Sequence, residues 1–237
     1  FLYVPFTAPH APYQGPDDDS PQPLPAGSSR WKQGTADPRV YAAMIERMDQ
    51  AIGRILDTVN ELGVAGNTLV IFASDNGGTG SARQGGLRGH KGTTFEGGIR
   101  VPCVVRWPGV LPENLTTGQV MLTMDLTASL VRAAGATPPT DRPFDGLDIL
   151  QRLQNRQGPV ARTVFWRGRR GEQTWRAVRD GALKYVSRQN AKVREEYLFD
   201  IEKDRGETND LLAGRPEDAA RLKQLLARWE EDVRPRR

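Results

Sequence analysis

Sulfur and imidazole are scarce in this chain. Cys103 is the single cysteine among 237 residues, which excludes an internal disulfide and leaves the redox compartment open. His10 and His90 are the two histidines, so any histidine-dependent step has to use one of them. No apolar run approaches the roughly 20 residues of a membrane-crossing helix, so no membrane span is expected. An initiating methionine and a signal sequence are missing too. The chain opens at Phe1 inside the apolar run Phe1-Leu2-Tyr3-Val4-Pro5-Phe6, and we expect it to be the downstream part of a longer protein. Charge is nearly balanced, 33 Lys and Arg against 29 Asp and Glu, for a net +4. Arg167-Gly168-Arg169-Arg170 and Arg234-Pro235-Arg236-Arg237 are short basic clusters, too short for a nucleic-acid stripe, so no nucleic-acid partner is expected.

What remains is ordinary for a globular chain of one or two domains, with 38% hydrophobic and 26% charged residues. Phe1 to Phe6 reads as a buried strand, and residues 14 to 36, rich in Pro, Asp, Gly and Ser, as a long surface loop. Asp37 and Pro38 start a helix whose apolar face carries Met44, Met48, Ile52, Ile55, Leu56, Val59 and Leu62, with Gly63 as its stop. After a turn, Thr68 to Ala73 is an all-apolar strand. Helix, turn and apolar strand point to a βαβ unit with a parallel, doubly covered strand. Residues 77 to 100 are glycine-dense loop, and Val101 to Trp107 is a further strand. Asp125 caps a helix running to Ala134.

The pattern changes after Ala136 to Pro143. Thr163 to Arg167, Trp175 to Arg179, Leu183 to Val186 and Tyr197 to Phe199 read as strands, with Asp180-Gly181 as a hairpin turn. Pro216 opens a closing helix. The expected architecture is α/β: part of a mixed, mainly parallel sheet flanked by helices over residues 1–139, then a small subdomain of antiparallel sheet with a packed helix over 140–237.

The densest chemistry lies at Ser74-Asp75-Asn76-Gly77-Gly78, directly after an apolar strand. A carboxylate and an amide oxygen side by side suit a hard divalent cation, and the carboxyl ends of strands are where open α/β sheets bind ligands. The plainer reading is a turn, because Asp, Asn and Gly tolerate left-handed backbone. Lys91 sits between Gly89 and Gly92, which allow close backbone approach to a ligand, and offers three donors to an oxyanion. His90 beside it could also contact substrate. His10, between Pro9 and Pro12, suits a proton donor or an oxyanion contact, although an incidental loop histidine would look the same. Glu96 and Arg100, four apart, are read as a structural pair. Cys103, among apolar neighbours, is read as a buried strand residue and not a nucleophile.

Together these blocks resemble the sulfatase family of the alkaline-phosphatase-like superfamily. The resemblance rests on Ala8-Pro9-His10-Ala11-Pro12, on Ser74 to Gly78, and above all on Gly89-His90-Lys91-Gly92-Thr93-Thr94-Phe95-Glu96-Gly97-Gly98-Ile99-Arg100-Val101-Pro102. Trp107-Pro108-Gly109, Met124-Asp125-Leu126, Asp145-Gly146 and a tail including Leu198-Phe199-Asp200 extend it over nearly the whole chain. It implies hydrolysis of a sulfate monoester, of a small molecule or a saccharide, with a divalent cation: usually Ca2+, with Mg2+ or another ion as alternatives. By the same resemblance Asp75 and Asn76 are metal ligands, and Lys91 and His10 are catalytic and touch the sulfate; His90, beside Lys91, is the further substrate-contact candidate. Such enzymes use a formylglycine nucleophile made within Cys/Ser-x-Pro-x-Arg, and are commonly periplasmic or secreted. No Cys or Ser here heads that pattern, and Cys103 continues Val104-Val105-Arg106. The nucleophile and the remaining acidic ligands are therefore expected upstream of Phe1, and the chain alone is expected to turn over little. A phosphodiesterase or phosphonate hydrolase of the same superfamily, or a non-catalytic anion-binding remnant, are the alternatives.

Overall fold

A proline that needs no N–H partner and an aspartate that caps the turn make a strong helix start. In the computed structural model, which describes residues 1–19, 24–32 and 34–234, the first helix α1 spans Pro38–Glu61, and Asp37 accepts from the Arg39 N–H at 2.8 Å. Gly63 ends it at φ +67°. Met44 is buried and Met48, Ile52, Ile55, Leu56 and Val59 are half-buried, so the apolar stripe is the inward face, but Leu62 is exposed.

Strand β1 (Val70–Ala73) follows, then a single helical turn α2 (Glu96–Ile99) inside the glycine-dense loop, and β2 (Cys103–Arg106). β1 and β2 pair with each other antiparallel, Val70 opposite Arg106 and Ala73 opposite Cys103. The α/β character stands, but the expected parallel βαβ sheet does not appear: both sheets among the described residues are antiparallel. Nor is β1 doubly covered. Phe72 and Val104 lie 38% and 61% exposed, because a two-stranded ribbon has no third strand and only partial cover. Phe1 to Phe6 likewise forms no strand and is exposed throughout, since an extended segment becomes a strand only by pairing. Cys103, expected buried, is exposed. Its thiol is nonetheless partly desolvated, which raises its pKa and keeps thiolate scarce at neutral pH, against a nucleophilic role.

Helix α3 spans Thr123–Ala133, so Asp125 is its third residue and not the cap. From there the fully buried Asp125 carboxylate reaches back to the Leu122 N–H at 2.6 Å, takes the Leu147 N–H at 2.8 Å, and pairs with Arg162 at 2.6 Å. An aspartate in the first turn satisfies the same orphan donors as a cap does. A short helix α4 (Ile149–Gln154), unmarked in the sequence reading, packs on α3.

The remaining strands form a meander, β3 (Thr163–Arg170), β4 (Gln173–Asp180), β5 (Leu183–Gln189) and β6 (Arg194–Asp200), each antiparallel to the next. The helix α5 (Pro216–Asp232) closes one face: Leu222 and Leu226 meet Val178, Tyr185 and Leu198, and Trp229 stacks on Phe165 at 5.1 Å. The other face carries Trp175, Ala177, Val186 and Phe199. Its cover is Phe95, from the glycine-dense loop, whose ring meets Trp175, Tyr197 and Phe199 edge-on at 5.3, 5.6 and 6.3 Å.

Candidate functional site

Two loops carry the candidate residues, and their backbones are hydrogen-bonded together. The turn after β1 places Asp75 exposed and Asn76 half-buried. Its glycines then dock on the second loop: the Gly77 N–H donates to Gly98 O at 2.9 Å, and the Lys91 N–H donates to Gly78 O at 2.9 Å. The approach is close enough to require glycine, for a Cβ on Gly77 would sit 1.8 Å from Gly97 O. Lys91 is thereby held beside the turn that bears Asp75 and Asn76. His90 is exposed, its ring Nδ1 2.9 Å from the Lys91 carbonyl oxygen.

His10 is exposed on the segment between Pro9 and Pro12, with Nδ1 2.6 Å from Ala11 O. A carbonyl oxygen only accepts, so Nδ1–H donates in that contact and Nε2 is left for another partner. The segment reaches the metal-candidate turn through Tyr13, whose hydroxyl lies 3.3 Å from the Thr79 hydroxyl. Among the described residues no hydrogen bond joins His10 directly to Asp75, Asn76 or Lys91. The structure therefore ties the turn bearing Asp75 and Asn76 to the Lys91 loop by backbone bonds of Gly77 and Gly78, and the segment of His10 to Thr79, just past that turn, through Tyr13.

The long loop at 14–36 is less superficial than its composition implies. Leu24 is buried, as is Tyr13 just before the loop, and the Ala36 N–H donates to Ser81 Oγ at 2.7 Å. Residues 20–23 and 33 of that loop lie outside the described residues.

Behind Lys91 stands a buried ion cluster that the sequence reading missed in part. Lys184 of β5, with no exposed side-chain surface, donates to Glu96 Oε1 at 2.7 Å and Glu207 Oε1 at 2.9 Å. Glu96 also takes Arg100 at 2.8 Å, the pair expected from their spacing, while Glu207 Oε2 accepts the Glu96 N–H at 2.7 Å. Burial pushes both carboxyls up. At Glu96 the Lys184 charge, with hydrogen bonds from Lys184 and Arg100, outweighs burial and holds the pKa below the usual range. Glu207 lacks a guanidinium of its own, so burial prevails and its pKa lies above that range. Arg88 adds a cation over the Phe95 ring at 4.2 Å and donates to Glu207 O at 3.1 Å. The signal for Lys184 was available: strand alternation puts it on the same face as Val186, where a lysine needs a buried partner.

Among the described residues no three His, Cys, Asp or Glu side chains gather as a metal cluster. Asp75 and Asn76 are oxygen donors of the kind a hard cation takes, and they fit as two of its six to eight ligands.

Known proteins resemble this chain in sequence and in fold. The Sulfatase family model matches residues 1–136, more than half of the chain. The chain belongs to the sulfatase family. A sulfatase of Formosa agariphila is 31% identical over 261 residues, covering 97% of the chain and 46% of that protein. N-acetylgalactosamine-6-sulfatase of Sus scrofa is 35% identical over 174 residues, covering 71% of the chain and 31% of its own length. The crystal structure of Ps i-CgsB in complex with k-i-k-neocarrahexaose is similar over 96% of this chain and 49% of that one, with a TM-score of 0.80 and 25% identity. The sulfatase chain thus spans between about a third and a half of these relatives. No helix among its described residues is long and apolar enough to cross a membrane.

Proposed function

We propose that this chain supplies part of the active site of a sulfuric ester hydrolase acting on a sulfate monoester, with a sulfated saccharide as the favoured substrate class. The observation that carries the reading is the pair of backbone bonds, Gly77 N–H to Gly98 O and Lys91 N–H to Gly78 O, which hold the Asp75-Asn76 turn against the Lys91 loop. In this reading Asp75 and Asn76 hold part of a divalent cation's ligand set, Ca2+ before Mg2+. The cation supplies Lewis-acid neutralisation of charge on the sulfuryl oxygens.

The Lys91 ammonium donates to the same oxygens and stabilises the charge that grows on them as the ester bond breaks. His10, oriented by its Nδ1–H bond to Ala11 O, carries a second proton on Nε2 in its imidazolium form and delivers that proton to the departing alcohol oxygen, ending as the neutral Nδ1–H tautomer. His90 contacts the substrate beyond the sulfate. The nucleophile, a formylglycine by family resemblance, is placed in a segment outside these 237 residues, because no Cys or Ser here heads Cys/Ser-x-Pro-x-Arg. The saccharide preference draws on relatives named for N-acetylgalactosamine-6-sulfate and on the neocarrahexaose complex of Ps i-CgsB.

The test is aryl sulfate hydrolysis by the protein as its gene encodes it, beside Lys91→Ala and Asp75→Ala. Each substitution is expected to lower kcat/KM by at least about a hundredfold, the scale for losing one electrostatic contact to a transition state. An unchanged rate in either folded variant refutes the assignment.

A further inference from the structure

The loop that carries Lys91 does not end against solvent: it forms one wall of a cleft whose other wall is one face of the C-terminal sheet near the β3–β4 turn. The cleft, about 240 Å³, is lined by His90, Lys91, Arg170, Gln173, Trp175 and Arg188 among others, and no acidic residue lines it. Strand register explains the gathering. Arg170 of β3 lies opposite Gln173 of β4, and Trp175 lies opposite Arg188 of β5. Gln173 and Trp175 are two apart, so all four stand on the sheet face that also bears Lys184 and meets the Lys91 loop.

Each arginine has a defined state. Arg170 is exposed, makes no ion pair among the described residues, and lies so near the loop that a Cβ on Gly92 would be 2.9 Å from its guanidinium. Arg188 lies over the Trp175 ring, 5.6 Å from its centroid, and is held by Glu195 at 3.5 Å. With the Gln173 amide turned oxygen-inward, Gln173 also accepts from Arg188 Nε and Nη2 at 2.7 Å. Three cations thus face one opening with one weak carboxylate partner at its margin. The volume lies below the ~300–1,000 Å³ of pockets that enclose a whole ligand. It matches a subsite for one substituent.

We propose that this cleft binds a second anionic substituent of the substrate, a sulfate or a carboxylate on the same saccharide, next to the sulfate held at Lys91. Arg170 is the main contact, with a forked donor that matches oxyanion geometry, and Arg188, whose Nε and Nη2 are engaged by Gln173, adds a positive charge at a fixed place. The inference deepens the sulfatase reading of Lys91 and rests on it. It makes the substrate a saccharide with at least two anionic groups and makes Arg170 and Arg188 specificity determinants.

The test is equilibrium binding, by calorimetry, of three disaccharides to the protein as its gene encodes it: a neutral one with one sulfate, one with two sulfates, and one with one sulfate and one uronate. The wild-type chain is expected to prefer at least one doubly anionic ligand over the monosulfate by about tenfold, the size of one charge-assisted hydrogen bond. Which of the two is preferred identifies sulfate or carboxylate as the second group. Arg170→Ala and Arg170→Glu are expected to bring that ratio close to one. The same substitution at Arg54, exposed on α1, should leave it as it is. A wild-type ratio near one, or an Arg170 variant that keeps the full ratio, overturns the proposal. So does an equal loss for all three ligands, which would make Arg170 a diffuse attraction only. Lys91→Ala measured in parallel separates the two claims. Unchanged monosulfate binding in that variant sinks the reading of Lys91, whereas a failed ratio sinks the subsite.

Discussion

The two sheets of this protein are built from similar residues and meet very different fates. The β3–β6 meander has both faces covered, one by α5 and the other by Phe95, and Ala177, Val178, Val186, Leu198 and Phe199 have no exposed surface. The β1–β2 ribbon, from the equally apolar Val70-Ile71-Phe72-Ala73 and Cys103-Val104-Val105, has no residue that is fully buried. Burial is a property of neighbours, not of a segment, and the ribbon has too few. The consequence for function is that the Lys91 loop, although it follows β1 in sequence, is anchored to the meander. Phe95 packs on it, Thr94 donates to Arg176 O at 3.3 Å, and Glu96 is tied to Lys184.

Several substitutions would break this contrast, the largest first. Lys184→Met should cost about 3–5 kcal/mol in denaturant unfolding, because it leaves Glu96 and Glu207 as buried carboxylates without their shared cation. Leu222→Ala, beneath α5, should cost about 2–5 kcal/mol as an unfilled cavity. Gly77→Ala should cost about 1–3 kcal/mol by overpacking against Gly97 O, and should weaken sulfate-ester binding by parting the two loops. Val104→Ser on the ribbon should change stability by less than about 0.5 kcal/mol. A value above about 2 kcal/mol there would show that the ribbon is covered as well as the meander.

Acid titration sharpens the same contrast. Glu96 has a lowered folded pKa, so its contribution is present above the ordinary carboxylate pKa and is lost as pH falls through the lower folded value. Glu207 has a raised one, so folding takes up a proton there, and its contribution grows as pH falls through its raised value towards the ordinary one. Stability followed by thermal melting should therefore rise slightly between neutral pH and the ordinary carboxylate range before falling. Glu207→Gln should remove the rise. Persistence of the rise in that variant would assign it elsewhere.

Local signals in the sequence were reliable where the physics is local. Asp37-Pro38 started a helix, Asp180-Gly181 turned a hairpin, and Pro216 opened α5. Asp75 and Asn76 were legible as candidates because they set two oxygen donors side by side at the end of an apolar strand, and Lys91 because Gly89 and Gly92 mark close backbone approach. What failed depended on partners: the burial of Cys103, the strand at Phe1 to Phe6 and the parallel pairing all required neighbouring strands that composition does not specify. Asp125 misled by one turn, since a buried aspartate at the third helical position serves the same donors as a cap. The Arg170 and Arg188 cleft lay hidden because register, set by the β3–β4 and β4–β5 turns, is what places those arginines on the face opposite Lys91.

Amide hydrogen exchange on the intact chain tests the anchoring most directly. Residues 94–99 should exchange as slowly as the central strands β4 and β5, β1 and β2 should exchange much faster, and Lys184→Met should release 94–99 selectively. Exchange of 94–99 at the rate of β1 and β2 in the native protein would contradict the account, because the Lys91 loop would then belong to the ribbon and not to the meander.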